Sequence, residues 1–246
     1  GARNRGLPLA QGDVLIFPDD DCWYPPEYLS RLDCILRETG AGLVTGRAAD
    51  LAGRTINGRF QARRGFITRA TVFTSQIEWN MAVSASLMRE LRGYDEAISL
   101  GGPTPWQGGE GYDVILRALD RQARCFYDPA LVAHHDELPV ATPDARMVHK
   151  GLVYARGLGY VLRKHGYGPW AITGWVARSL INLAWALLLL RPDQARYFST
   201  QARGRIEGWT GRVDHPAPSD AMTGLAQTCP ADAVPAAVTV AEGEGA

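Results

Sequence analysis

Gly12-Asp13-Val14-Leu15-Ile16-Phe17-Pro18-Asp19-Asp20-Asp21 is the stretch on which the fold turns. A short apolar run after a glycine, stopped by a proline and three acids, reads as a buried strand of an α/β sheet. Its carboxylates then stand at the carboxyl end of the strand, where open α/β sheets place their ligands. Three adjacent carboxylates repel one another unless water or a cation compensates them. A hard divalent ion, Mg²⁺ or Mn²⁺, is such a cation, because it takes oxygen ligands and is commonly held by one or two carboxylates together with substrate phosphates. The same acids also read as a solvated loop capping the helix that follows.

Working outward, Pro25 and Pro26 open a helical pattern in which Tyr28, Leu29, Leu32, Ile35 and Leu36 recur until Gly40. Gly42 to Gly46 reads as a strand, residues 47–76 as loops with short strands, and Asn80-Met81-Ala82-Val83 as another buried strand. A helix from Ser86 to about Leu91, a Gly93-Tyr94-Asp95 turn and a strong helical pattern through Val114, Ile115, Leu116, Ala118 and Leu119 come next. Cys125-Phe126-Tyr127 reads as a strand and Asp128-Pro129 as a turn. Strands alternating with helices predict an α/β sheet.

Two further clusters carry chemistry. Gly108-Gly109-Glu110-Gly111-Tyr112-Asp113 opens the helix before Leu116. Glycines let the chain approach a ligand closely, and the helix dipole favours an ionised carboxylate, which can take a proton from an attacking hydroxyl. Glu110 and Asp113 are candidates for that role, and their spacing also fits simple helix capping. His134-His135 follows the strand end; a neutral imidazole, His134 being the candidate, could complete a metal site while Asp136 accepts from its other nitrogen.

Composition narrows the class. Lys and Arg total 26, as do Asp and Glu, and 46% of residues are hydrophobic. These values exclude pervasive disorder, collagen-like repeats and a free-standing nucleic-acid arm, so no nucleic-acid partner is expected. Cys22, Cys34, Cys125 and Cys229 form no CxxC pair and no secretory leader precedes them, which predicts a reducing cytoplasm.

The order of DDD at a strand end, GEGYD at a helix start and Tyr127-Asp128-Pro129-Ala130-Leu131-Val132-Ala133-His134-His135 beyond it resembles family 2 glycosyltransferases, nucleotide-sugar-dependent enzymes of the GT-A fold. Ala2-Arg3-Asn4-Arg5-Gly6 looks like the segment before the family's metal strand, and Asn80-Met81-Ala82-Val83 with Gly93-Tyr94-Asp95-Glu96 like its acceptor-side block. The resemblance spans residues 2 to about 210. It implies that Asp19 and Asp21, with His134, hold Mg²⁺ or Mn²⁺ against a diphosphate, that Asp20 lies near the ribose or sugar, and that Arg3 and Asn4 contact the donor. Gly111 stands where the family commonly has its basic Asp, so Glu110 is the first candidate for general base and Asp113 the reserve. The implied reaction is inverting transfer from a nucleotide-sugar donor to a hydroxyl of a glycan or lipid-linked acceptor, in surface polysaccharide or glycan synthesis. The strand–helix–strand unit that usually precedes the metal strand is not represented before Asp19. An N-terminally truncated GT-A sheet is therefore expected, either a fragment or an inactive glycan- or partner-binding domain.

The chain divides by composition into a GT-A-like part (1–144), a basic helical extension (145–213) and an acidic tail (214–246). The tail lacks the apolar area needed to offset chain entropy and is expected to be disordered. Within the extension, 168–190 is apolar apart from Thr173, Arg178, Ser179 and Asn182. It could span a bilayer, lie in the interface with Trp170, Trp175 and Trp185 as anchors, or pack as a helical hairpin on the domain. Association with the inner face of the cell membrane is the expectation, supported by the segment's Lys and Arg residues and by its resemblance to tail helices of bacterial members. An Asp-nucleophile phosphoryl-transfer site is disfavoured, since Cys22-Trp23 follows the acids and the chain has only two lysines.

Overall fold

A computed structural model describes residues 1–213; the expected disordered tail lies outside the described residues. The segment before the decisive apolar run is a short helix, α1 (Ala2–Gly6), and that run becomes β1 (Val14–Ile16). Helix α2 (Tyr28–Thr39) stops where Gly40 takes a left-handed conformation (φ 59°), a geometry glycine adopts without a Cβ penalty. Strand β2 (Leu43–Ala49), the two-residue β3 (Gly65–Phe66) and β4 (Met81–Ser84) follow. Helix α3 (Ala85–Glu90) is capped by the Ser84 hydroxyl, which accepts from the Leu87 amide. Helix α4 (Glu110–Asp120) and strand β5 (Cys125–His134) complete the α/β part.

The sheet order is β1-β4-β2-β5-β3, and only β2 and β5 run parallel. This corrects the expectation for β1: it is a half-buried edge strand antiparallel to β4, because strand order is set by pairing distant in sequence. The expected turn at Asp128-Pro129 is a bulge inside a longer strand, where Asp128 Oδ1 accepts from the Ala130 amide at 2.8 Å and residues 128–131 stand opposite Gly46. Strand β5 runs through it, and the register against β2 shifts between Thr45 and Arg47. The buried Asn80 fills the gap: its amide donates to the carbonyls of Arg47 and Leu131, each at 2.9 Å, and its oxygen accepts from the Tyr28 hydroxyl at 2.8 Å. Buried backbone carbonyls opened by the bulge are thereby paired.

One core lies between the sheet and α3–α4, built on Leu43, Met81, Val83, Leu87, Val114, Ile115 and Leu116. A second, with Tyr28, Leu32, Ile35, Val44 and Ala82, fastens α2 to the opposite face. Three long helices follow: α5 (Ala145–Lys164), α6 (Pro169–Leu188) and α7 (Pro192–Thr210). Helix α5 meets α7 backbone to backbone, since a Cβ on Gly159 would overlap the Arg205 carbonyl and one on Gly208 the Arg156 carbonyl. Across that seam Arg156 donates from Nε to Glu207 at 2.5 Å, both side chains being buried. Helix α6 packs one face through Ile172, Ser179 and Ala186 and leaves the other exposed.

Candidate active site

The loop after β1 is pinned by a two-way backbone bridge: Trp23 N–H donates to His134 O at 3.1 Å, and His134 N–H to Trp23 O at 2.8 Å. The bridge fixes which histidine faces the acids, because alternate residues of an extended chain point to opposite sides. His134 turns away; its Nδ1 donates to the carbonyls of Ala49 and Asp50, and its ring stacks on Trp23. The metal candidate His134 is thus replaced by His135, whose Nε2 lies 3.0 Å from Asp21 Oδ1. Asp19, Asp21 and His135 present ligand atoms all within 4.8 Å of one another. His135 is held from behind, its Nδ1 donating to Asp136 O at 2.7 Å and its ring stacked on Trp79. With Nδ1 donating to the backbone, Nε2 is the ring nitrogen that faces the carboxylates.

Asp20 is exposed and outside this cluster. Asn4 is also elsewhere: it exchanges hydrogen bonds with the backbone of Tyr94 at 2.8 Å and donates to Glu96, tying α1 to the turn after α3. Arg3 does reach the site, where it pairs with Glu78 and, at 3.5 Å, with Asp19.

Glu110 reaches the same place from α4. Its Oε1 accepts from the Leu100 amide at 3.1 Å, and the residue is only 3% exposed. A cavity of about 340 Å³ is lined by Asp19, His135, Glu78, Arg3 and Glu110 together. Burial lifts the Glu110 carboxyl above its ordinary value, against the pull of its own and the Leu100 backbone N–H groups. Burial likewise raises Asp19, with Arg3 opposing, and raises Glu78, reinforced by the neighbouring Glu110 charge.

Asp113, the reserve base, has a different place. Its side chain is fully buried and lines neither this cavity nor the larger one beside it. Lys164 Nζ at 2.6 Å, His165 Nε2 at 2.8 Å and Arg117 Nε at 2.7 Å occupy its oxygens. Burial alone would raise its pKa; the His165 hydrogen bond and the Arg117 and Lys164 charges outweigh that and hold it well below the carboxylate range. It is a structural anion that fastens α4 to the end of α5.

Gly108 and Gly109 both sit at positive φ, 88° and 93°, where they turn the chain into α4. Helix α5 backs this turn so closely that a Cβ on Gly157 would overlap the carbonyls of Gly108 and Gln107. Tyr154 and Lys150 of α5 line the cavity as well, so the helical region builds one wall of the site. Gly111 also has a reason here: a Cβ there would overlap the Gln76 side chain. Sequence reasoning missed Glu78, Lys150 and Tyr154. Glu78 alone had a signal, a carboxylate two residues before a buried apolar strand.

The architecture is a mixed five-stranded sheet flanked by helices, with the acid–histidine cluster and the buried Glu110 opening onto one cavity. Residues 1–91 match the sequence model of Glycosyl transferase family 2. Solved structures similar to the chain include S. aureus TarS 1-349, at 13% identity and TM-score 0.41, covering 87% of this chain and 71% of that one. The same protein fragment in complex with UDP-GlcNAc matches at 13% identity and TM-score 0.39, over 86% of this chain and 72% of that one. S. aureus TarS itself matches at 14% identity and TM-score 0.41, over 83% of this chain and 42% of that one. None of the curated proteins matches.

Proposed function

We propose that the chain transfers a sugar from a nucleotide-sugar donor to an acceptor hydroxyl with inversion at the anomeric carbon, in the synthesis of a surface polysaccharide or glycan. The observation that carries this reading is the shared cavity, which puts the buried Glu110 carboxylate on the same wall system as Asp19 and His135. Glu110 accepts the proton of the acceptor hydroxyl as its oxygen attacks the anomeric carbon, and the bond from that carbon to the diphosphate oxygen breaks. The nucleoside diphosphate leaves with the electron pair. One displacement exchanges the two faces of the sugar, and no covalent sugar–enzyme adduct is needed. Arg3, which reaches Asp19 and Glu78, is placed to steady negative charge at the donor end.

Two carboxylates and a back-bonded imidazole fit Mg²⁺ or Mn²⁺, and Asp19, Asp21 and His135 would hold it. When bound, the ion supplies charge stabilisation to the departing diphosphate. Asp19→Ala should abolish metal-dependent release of nucleoside diphosphate from a panel of nucleotide sugars. His135→Ala should weaken metal dependence by about 10–100-fold, and His134→Ala should not. Full turnover by Asp19→Ala, or a loss confined to His134→Ala, would reject the assignment.

The exposed side of α6 supports placement at an anionic membrane surface on the cytoplasmic side. Trp170, Ile181, Leu187 and Leu188 all stand open to solvent, and the helix is long and apolar enough to cross a bilayer by length and composition. Arg191 and Arg196 are exposed beyond its carboxyl end, and each cation near anionic headgroups contributes about 1 kcal/mol. The protein should float with phosphatidylglycerol vesicles, and the double substitution Ile181→Asp with Leu188→Asp should leave it at the bottom of the gradient. Wild-type protein that ignores vesicles of every composition would contradict this placement.

A further inference from the structure

Beside the catalytic cavity lies a larger one of about 900 Å³, bounded by residues 55–60, the segment 73–78, α6 and α7. The two adjoin, sharing Glu78, Tyr154, Trp175, Gln201 and Arg205 as wall. Arg205 comes from α7 and is 8% exposed. Its Nη1 donates to the Trp175 carbonyl and, at 2.5 Å, to Ser179 Oγ, both neutral, while its Nε is buried with no partner. The guanidinium lies 5.2 Å from the centre of the Trp175 ring, and that of Arg178 lies 5.9 Å from the same ring. Among the described residues no carboxylate pairs with Arg205, Arg178 or Arg59, all three of which line the cavity. The acids on its walls are already engaged, Glu137 by Arg54 at 2.7 Å and Glu78 by Arg3.

A buried cation without a counter-ion is costly, and proteins pair such groups or use them. Burial, and then the charge of Arg178, pull Arg205 down to about 10, the direction expected of a site without its anion. Arg178 is lowered in the same way by burial and by Arg59. A planar guanidinium fork with a free Nε–H matches the oxygens of a phosphoryl group. Gln76, which also lines this cavity, has its Oε1 buried without a hydrogen-bond partner.

We propose that Arg205, Arg178 and Arg59 form a phosphoryl-binding subsite for the acceptor, which is then a phosphodiester-bearing molecule, water-soluble or lipid-linked, whose free hydroxyl reaches Glu110. The donor diphosphate belongs at the other end, near Asp19 and Arg3, neither of which lines the larger cavity. Assigning the anion to the acceptor rests on the glycosyl-transfer reading; the subsite itself does not.

The test is calorimetric titration of the full chain, metal-free in EDTA, with glycerophosphoglycerol as the soluble phosphodiester. Saturable binding is expected. Arg178→Gln and Arg59→Gln, whose side chains are exposed enough to spare the fold, should each weaken it about tenfold or more. Arg3→Gln should leave it unchanged. Should only phosphatidylglycerol vesicles bind, with the same loss in Arg178→Gln measured against phosphatidylcholine, the phosphoryl group is that of a lipid-linked ligand. Equal binding by wild type and Arg178→Gln, loss in Arg3→Gln alone, or binding of neither probe would overturn the subsite. Because no donor or metal is present, an inactive enzyme that still binds the phosphodiester through Arg178 would count against the transferase mechanism and leave the subsite standing.

Discussion

Glu110→Gln is expected to lower the transfer rate about 10²–10⁴-fold, the range that general-base removal typically costs. The substitution is nearly isosteric, and the amide oxygen can still accept from the Leu100 N–H that now meets Oε1 at 3.1 Å, so folding and donor binding should survive. A loss in kcat with little change in the donor KM is therefore the expected pattern. The pH profile supplies a second readout. A base acts only when ionised, and burial raises the Glu110 carboxyl above its ordinary value. The acid limb of kcat/KM should consequently fall at a higher pH than an exposed glutamate would give, and it should vanish in Glu110→Gln. Near-wild-type turnover would remove Glu110 from the mechanism and direct attention to Glu78, the other buried carboxylate on the cavity wall.

Asp113→Asn should produce the largest loss of stability, about 3–5 kcal/mol, because deleting one member of a buried ionic network leaves the others uncompensated. Here Arg117, Lys164 and His165 would lose their shared anion at the junction of α4 with the end of α5. The sign of the pH dependence follows from the depressed carboxyl. Its contribution is present in full above the unfolded-state value of 3.8 and disappears as pH falls through the lower folded-state value. Chemical denaturation at pH 7 should show the deficit, and wild type and variant should converge under strongly acidic conditions. A variant as stable as wild type at neutral pH would mean that the network contributes nothing net.

Much of the site was legible because its parts are local. The apolar run ending in acids, the glycine pair opening α4 and the Gly40 stop each follow from chain chemistry within a few residues. What the sequence left open depends on pairing between distant segments. The choice between His134 and His135 is one of parity, settled by the Trp23–His134 bridge, and no composition rule announces which of two adjacent histidines faces a loop more than 110 residues earlier. The edge position of β1 is likewise a consequence of its pairing with β4. Asp113 and Glu110 sit three apart on one helix and looked alike; burial against Lys164 and His165 separates a structural anion from the candidate base. The role of α5 as a wall of the cavity was hidden in a single glycine, Gly157, whose missing side chain admits the carbonyls of Gln107 and Gly108.

The most direct test of the central claim is anomalous diffraction from crystals grown with Mn²⁺. The expected result is a peak coordinated by Asp19, Asp21 and His135 at about 2.1 Å, opening onto the cavity that holds Glu110 and lost in Asp19→Ala. A Mn²⁺ ion bound by His134, or one seated away from the Glu110 cavity, would contradict the account.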